Sequence, residues 1–305
     1  MGAAVQIFYT DTFDIPLPPR HRFPLAKYAM LRSRLDSSGL VPKGILRVPS
    51  AATVEQLSRV HESDYIARVM EGRLSVAEVR RIGLPWSEEL VERARRSVGA
   101  TIEACRAALS EGHAVSLAGG THHAHADRGE GYCVFNDAAV AARAMQVEGG
   151  IGRIIVVDCD VHQGNGTAAI FQGDPSVFTF GIYGERNFPF SKECCDIDVP
   201  LPDGTGDHEY IRALASGLSR ALRAARPELA IYLAGADPYS GDSLGRLALS
   251  KTGLLERDRL VLRLLGEARI PVAVTMAGGY SADISDTVDV HFATVKAVLE
   301  HALAT

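Results

Sequence analysis

The segment around residues 158–162 offers metal ligands at alternate positions of the chain. Residues 154–157 are Ile-Ile-Val-Val, a run of branched apolar residues typical of a buried parallel strand, and Asp158, Asp160 and His162 follow directly. Successive side chains of a strand point to opposite faces, so residues two apart share a face. If the extended backbone continues, two carboxylates and an imidazole converge at the end of this strand. Such oxygen and nitrogen ligands suit a divalent metal such as zinc.

Three other apolar segments also end in polar residues. The segments and the residues that follow them are 113–118 with His122 and His123, 229–234 with Asp237, and 271–276 with Tyr280. In open parallel sheets, ligands bind outside the carboxyl ends of the strands. We therefore expect all four groups of polar residues at one edge of a sheet.

Asp160, His162 and Asp237 supply three metal ligands in this arrangement. Catalytic zinc sites have three protein ligands and one open position for water or substrate. Asp158 faces the same site but is one acid more than such a site needs. We therefore expect it to orient a histidine.

His122, His123 and Tyr280 carry groups that could complete a hydrolytic site. A neutral histidine can take a proton from water and return it to a leaving amine. Tyr280 follows Gly278 and Gly279, which allow a sharp turn and a close approach to a ligand. Its phenol can donate a hydrogen bond to a developing oxyanion.

The elements that must position these residues alternate along the chain. We predict an α/β fold of three layers, with an open, mostly parallel sheet and helices on both faces. Residues 1–305 are expected to form one domain. The predicted strands are 5–10, 113–118, 153–158, 177–182, 229–234 and 271–276. The predicted helices are 24–35, 54–61, 64–71, 86–111, 136–148, one near 167, 207–225, 253–268 and 287–303. Residues 183–206 are predicted to be a long loop that shapes a site.

The composition of the chain excludes several classes of protein. The net charge of the 305 residues is −5 and no block of Lys or Arg is present, which argues against a nucleic-acid partner. No apolar run reaches the length of about 18 residues that a membrane span needs. The five cysteines form no C-x-x-C pair, and residues 1–9 lack the features of a secretion signal. We therefore expect a cytoplasmic protein with reduced thiols.

Five ordered motifs resemble the zinc-dependent histone deacetylase and acetylpolyamine amidohydrolase superfamily. The resemblance is closest to its class IV-like bacterial branch. The motifs are GGTHHA at 119–124, GYCVFND at 131–137, DCDVHQGNGT at 158–167, GAD at 235–237 and GGY at 278–280.

This resemblance implies an arginase/deacetylase-like fold and a hydrolase acting on linear amides. The expected reaction uses metal-activated water to remove an acyl group, acetyl or longer, from lysine side chains of a protein or peptide, or from a related acylated amine. One zinc ion per chain would be held by Asp160, His162 and Asp237. His123 would be the general base and then the general acid. His122, paired with Asp158, would act electrostatically, and Tyr280 would stabilise the oxyanion.

The resemblance also implies a partner for His123 and a substrate tunnel. The partner position is Asn165, where many members have an aspartate. Because an amide carries no negative charge, His123 should be less basic than in those members. The expected tunnel walls are Gly131, Tyr132, Phe188 and Gly279.

A structural potassium ion is a second expected cofactor by the same resemblance. Its groups would come from Asp158, from main-chain oxygens of Asp160 and His162, and from the strand near Gly181 and Ile182. Many members have a serine where this chain has Gly181. The chain would then lack one side-chain ligand.

Three alternative functions remain open at this point. One is an amidohydrolase of acetylpolyamines or other small molecules. Polyamine specialists carry acids at the tunnel mouth, for which the candidates here are Asp11, Asp14, Glu185 and Glu193. A binuclear manganese ureohydrolase would need a further carboxylate where this chain has Gly164. A non-catalytic acyl-lysine reader would not need the retained histidines and tyrosine.

Overall fold

Eight parallel strands form one sheet in this computed structural model, which describes residues 5–42 and 44–304. Residues 1–4, 43 and 305 of the predicted domain lie outside the described residues. The strands are β1 Gln6–Phe8, β2 Leu46–Arg47, β3 His113–Ser116, β4 Ile154–Asp158, β5 Val177–Gly184, β6 Ile197–Leu201, β7 Leu229–Ala234 and β8 Val272–Met276. Their order is β2-β1-β3-β8-β7-β4-β5-β6, and every pairing between these strands is parallel.

The helices cover both faces of the sheet. They are α1 Ala26–Ser37, α2 Val54–Leu57, α3 Ser63–Met70, α4 Val76–Ile82, α5 Glu88–Glu111, α6 Asp137–Gly149, α7 Asn165–Phe171, α8 Asp207–Ala225, α9 Lys251–Glu267 and α10 Ile284–Ala304. Helices α1, α8, α9 and α10 pack on one face, and α5, α6 and α7 pack on the other. The predicted three-layer α/β architecture is therefore confirmed.

Strand β4 shows why this part of the sequence folds as a central strand. Ile155 and Val157 enter the core on the α8 side, whereas Ile154 and Val156 enter the core on the α5 side. A strand covered on both faces needs apolar residues at every position, and β4 is buried along its whole length. The chain becomes polar only where this strand reaches the edge of the sheet.

The strand order brings the polar segments together. Strands β3, β8, β7 and β4 are consecutive neighbours and run in the same direction. Their carboxyl ends therefore meet at one edge of the sheet, as predicted. No described helix is both long enough and apolar enough to cross a membrane.

Residues 183–206 are not only a loop, and this part of the prediction was wrong. They contain β6, which pairs with β5 from Phe180–Ile197 to Gly184–Leu201. Ile197, Val199 and Leu201 pack toward the core at alternate positions. Pro200 suggested a loop, but a proline is tolerated in an edge strand. The sequence analysis also missed β2 and α4, although Ser75 and Glu78 form a capping box at the start of α4.

Candidate active site

The predicted metal ligands meet at the carboxyl edge of the sheet. Asp160 and His162 follow β4, and Asp237 follows the neighbouring strand β7. One ligand atom from each of these side chains lies within 4.8 Å of the others. All three residues are almost fully buried. The site is therefore prearranged for one small cation.

The electrostatics of this cluster fit a divalent cation. Asp237 Oδ1 accepts a hydrogen bond from the Val161 backbone N–H at 2.9 Å, and its buried Oδ2 lies 3.2 Å from His162 Nδ1. Burial and the nearby Asp160 carboxylate raise the pKa of Asp237 to about 7. His162 Nδ1 lies 3.0 Å from Asp160 Oδ1 as well, so two crowded carboxylates share one imidazole, and a further positive charge would stabilise them. The donor set of two carboxylates and one imidazole suits zinc.

The first histidine of the pair forms a dyad with Asp158. His122 Nδ1 lies 2.6 Å from Asp158 Oδ2, and Asp158 Oδ1 accepts the Asp160 backbone N–H at 3.1 Å. Burial lowers the pKa of His122, but the charges of Asp158 and Asp160 outweigh it and raise the value to about 9. The two carboxylates therefore favour the protonated form of His122.

The second histidine has the opposite character. His123 Nδ1 lies 2.7 Å from Asn165 Oδ1. Burial, followed by the charges of His122 and His162, lowers the pKa of His123 well below its usual value. The hydrogen bond with Asn165 raises this pKa but is outweighed, and the comparison with members that have an aspartate at position 165 stays a prediction. A neutral imidazole beside a cationic one can accept a proton.

Tyr280 is placed by two glycines and an aspartate. A Cβ atom at position 278 would lie 1.8 Å from Asp237 Oδ2, so only glycine allows this close approach to the metal ligands. The Tyr280 backbone N–H donates to Asp242 Oδ2 at 2.6 Å. Burial raises the pKa of the Tyr280 phenol well above its usual value. Tyr280 therefore keeps its proton and remains a hydrogen-bond donor at neutral pH.

A cavity of about 640 Å³ connects these residues to the surface. The predicted walls Gly131, Tyr132 and Phe188 line it, together with His123 and Tyr280. The Phe188 ring meets the His123 ring edge-on at a centroid distance of 4.9 Å. A Cβ atom at position 131 would lie 2.7 Å from His123 Cδ2, so glycine is needed there. The cavity is large enough to receive an extended acyl-amine chain.

Residues 21–295 match the family model of the histone deacetylase domain. The chain belongs to the histone deacetylase family. This confirms the predicted superfamily, and membership identifies the protein as a hydrolase that acts on amides.

Known relatives of this deacetylase-family chain cover nearly its whole length. An uncharacterized protein of Picosynechococcus sp. is 43% identical over 285 residues, which are 93% of this chain and 95% of that protein. Histone deacetylase 2 of Arabidopsis thaliana is 31% identical over 289 residues, 90% of this chain and 74% of that protein. The crystal structure of the HDA15 HD domain has a TM-score of 0.83, covers 97% of this chain and 89% of that chain, and is 23% identical. This last likeness supports the fold.

One predicted wall of the deacetylase cavity is misplaced. Gly278 lines the cavity, whereas Gly279 is absent from its lining. A Cβ atom at position 279 would lie 2.5 Å from Thr287 Cγ2 and 3.1 Å from Ala236 Cβ. A side chain at position 279 would therefore point toward the start of α10, and the φ of 152° at this position also favours glycine.

The mouth of the cavity carries positive charge. Its lining includes four exposed arginines, which are Arg80, Arg81, Arg186 and Arg246. Arg186 and Arg246 share the carboxylate of Asp203 at 3.5 and 3.1 Å. None of the acids proposed for a polyamine site lines the cavity, namely Asp11, Asp14, Glu185 and Glu193.

The expected potassium groups are brought together only in part. Asp158 lies beside Gly181 in the register of β4 and β5, and Ile182 follows within β5. The Gly181 position faces Cys195 and Tyr183, so no side chain from it reaches Asp158. The potassium site stays a prediction.

Two acids that hold the catalytic loops were missed as functional residues. Asp137 is buried and accepts the backbone N–H groups of Gly120 and Thr121 and the hydroxyl of Thr101. Asp242 accepts the N–H of Tyr280 and two further backbone N–H groups. Sharp turns leave backbone donors without partners, which an acid nearby in space can accept. Asp137, at the start of α6, lies 16 residues from Thr121, so the sequence showed no pairing.

Proposed function

We propose that this protein removes an acyl group, acetyl or longer, from lysine side chains of a peptide or protein, or from a related acylated amine. The observation that carries the proposal is the placement of Asp160, His162 and Asp237 below one cavity, with His123 and Tyr280 in its lining. A metal, a base and a hydrogen-bond donor around one space are what hydrolysis of an amide requires.

Each side chain has a separate task in this mechanism. A bound zinc ion supplies a Lewis acid that polarises the acyl carbonyl and lowers the pKa of water. His123, which is neutral, takes the proton of the attacking water and returns it to the leaving amine. Tyr280 donates its phenolic hydrogen to the oxygen that becomes negative. His122 stays cationic beside Asp158 and stabilises the negative charge that develops nearby.

One metal per chain fits the residues better than two. A Cβ atom at position 164 would lie 2.4 Å from Asp158 Oδ2 and 3.1 Å from His122 Nδ1. A carboxylate at this position, which a second metal would need, has no room beside the His122–Asp158 pair. This argues against a binuclear ureohydrolase.

We expect the protein to bind about one zinc ion per chain and to hydrolyse acyl-lysine peptides. The test is metal analysis of the purified protein, followed by a panel of acetyl-lysine peptides, long-chain acyl-lysine peptides, acetylated polyamines and agmatine. The panel decides the acyl length. Two metals per chain, or hydrolysis of agmatine alone, would contradict the proposal. Binding of the peptides without turnover in the zinc-loaded protein would favour a reader.

The arginines at the mouth argue against a polyamine as the substrate. A polyamine keeps several positive charges next to its acylated nitrogen, and like charges at the entrance raise the cost of its approach. Arg80 and Arg81 have no ion-pair partner among the described residues. The mouth therefore favours acyl amines with negative neighbouring groups.

An acetyl-lysine peptide with acidic flanks is expected to be hydrolysed with a higher kcat/KM than its counterpart with basic flanks. The double change Arg80→Glu and Arg81→Glu should reduce this preference about threefold to tenfold, because surface charges steer association. Added salt should weaken the preference in the same way. The control is Arg220→Glu with Arg223→Glu, the same change of charge on exposed residues of α8. An equal loss in the control would show that the mouth has no specific role.

A further inference from the structure

A partly buried carboxylate in the lining of the cavity, Glu130, stands behind the histidine that we assign as the base. Asn165 Nδ2 donates to Glu130 Oε1 at 2.5 Å, while Asn165 Oδ1 lies 2.7 Å from His123 Nδ1. The Glu130 side chain is 16% exposed, and Asn165 is buried. His125 Nε2 lies 3.2 Å from the same amide nitrogen. These contacts form a continuous chain from Glu130 through Asn165 to His123.

The positions of the hydrogen atoms in these contacts follow from which groups can donate and which can only accept. An ionised carboxylate only accepts hydrogen bonds, so the amide nitrogen of Asn165 must face Glu130. The amide oxygen then faces His123, and an oxygen of this kind cannot donate. Nδ1 of His123 must therefore carry the hydrogen. In a neutral imidazole this leaves the lone pair on Nε2, the nitrogen that can take a proton.

The ionised state of Glu130 agrees with its surroundings. Burial raises the pKa of Glu130, but the hydrogen bonds from His125 and Asn165 outweigh it and lower the pKa below its usual value. If the Asn165 amide were reversed, its oxygen would point at a carboxylate oxygen. Only one orientation of the amide is then compatible with Glu130.

We propose that Glu130 is a positioning residue that fixes the orientation of the Asn165 amide and thereby selects the Nδ1–H tautomer of His123. The proposal rests on the proposed function, in which His123 is the base. In the members with an aspartate at position 165, the negative charge would touch the histidine directly. In this protein the negative charge is on Glu130, which contacts His123 only through Asn165. The Asn165 amide, oriented by Glu130, presents its oxygen to His123.

Glu130→Gln is the variant that tests this role. Glutamine keeps the shape of the side chain but can donate as well as accept, so both orientations of the Asn165 amide become allowed. The wrong tautomer of a catalytic histidine costs up to about 10⁴-fold in rate, and we expect a mixture of tautomers to lower kcat about tenfold. KM should change less than about twofold, because Glu130 acts through Asn165. A large rise in KM would instead indicate a distorted cavity wall at Gly131 and Tyr132.

The second variant distinguishes tautomer selection from a general structural role. Adding Asn165→Asp to Glu130→Gln places a carboxylate between the introduced glutamine and His123. A carboxylate only accepts hydrogen bonds, so the glutamine must donate to it and His123 must again carry its hydrogen on Nδ1. We expect kcat of the double variant to return to within about threefold of wild type. Asn165→Asp alone should give no gain, since it brings two carboxylates together. An equal gain from Asn165→Asp in both backgrounds would overturn the proposal.

The tautomer itself can be observed without any measurement of activity. In the zinc-loaded protein with ¹⁵N-labelled histidine, NMR should show His123 with a protonated Nδ1 and a free Nε2. The His123 signals are those missing from a His123→Ala spectrum. Glu130→Gln should show a mixture of both tautomers at unchanged zinc content and unfolding temperature. A protonated Nε2 in the wild type, or an unchanged tautomer in Glu130→Gln, would overturn this proposal. If the protein hydrolysed no acyl-lysine peptide, the proposed function would be wrong, but the tautomer of His123 seen by NMR would be unaffected.

Discussion

Replacing Asp237 by asparagine is expected to abolish hydrolysis and to stabilise the metal-free protein. The change keeps the shape of the side chain and the hydrogen bond from the Val161 N–H to Oδ1, but it removes a charge. Without the carboxylate, the site loses one of its three ligands. We expect kcat to fall at least about 10³-fold, which corresponds to about 4 kcal/mol of transition-state stabilisation.

The gain in stability of the metal-free variant has a separate cause. In the wild type, Oδ2 of Asp237 is buried 3.2 Å from His162 Nδ1, and burial together with the Asp160 charge raises the pKa of Asp237 to about 7. Two neighbouring buried carboxylates that share one imidazole repel each other, whereas an amide at position 237 carries no charge and can donate to Asp160. We expect the free energy of unfolding to rise by about 1–2 kcal/mol in the absence of metal.

Thermal unfolding with and without zinc measures both effects. Zinc should raise the unfolding temperature of the wild type, because it binds the folded state, and should raise that of Asp237→Asn much less. Asp36→Asn, at an exposed carboxylate of α1, should respond to zinc like the wild type. A metal-free Asp237→Asn that is less stable than the wild type would show that the attraction to His162 outweighs the repulsion from Asp160. Full zinc stabilisation of this variant would place the metal elsewhere.

Tyr280→Phe is expected to lower kcat by about 10²–10³-fold with little change in KM. The phenylalanine keeps the ring beside Tyr132 and below the Lys27 ammonium, and it removes only the hydroxyl. That hydroxyl stays protonated at neutral pH because the phenol is buried near Asp160 and Asp237. Since the carbonyl oxygen gains its charge only during the reaction, the lost hydrogen bond affects the transition state more than substrate binding.

Steady-state kinetics on an acyl-lysine peptide measure this effect. Tyr239→Phe removes a tyrosine hydroxyl outside the lining of the cavity and is the matched control. Zinc content and unfolding temperature should be unchanged in both variants. If Tyr280→Phe kept the wild-type kcat, the oxyanion role would be wrong and another donor would have to be sought. A rise in KM alone would make Tyr280 a binding residue.

The residues of the site that are close in sequence were predictable, because their relative placement depends on the alternation of side chains along a strand. Asp158, Asp160 and His162 share a strand end, and their relation follows from the alternation of side chains. The apolar strands before each polar group are buried on both faces, so their pattern was visible in the sequence. Parallel strands also share the edge where their carboxyl ends lie. The metal ligands, the two histidines and Tyr280 were therefore assigned to one site before any contact was known.

The resemblance to a family suggested a role for each site residue, but it did not predict every residue of the tunnel lining correctly. Gly279 was expected in the tunnel, whereas it is not in the lining and a Cβ atom there would point at Thr287. Strand β6 lies in a segment predicted as a loop, because prolines at 189, 200 and 202 and several glycines are typical of loops. Both errors occur where the local structure depends on the conformation of a single residue or on pairing with one neighbouring strand.

Contacts between distant loops were decided only by the tertiary structure. Glu130 and Asn165 are 35 residues apart, and Asp242 and Tyr280 are 38 apart, yet each pair is hydrogen-bonded. The position of such a pair depends on how the strands order and how the connecting loops pack, which many weak contacts set together. The sequence by itself determined the kind of chemistry and the edge where it occurs. The packing decided that a carboxylate lies beside His122, that an amide lies beside His123, and which charges surround the entrance.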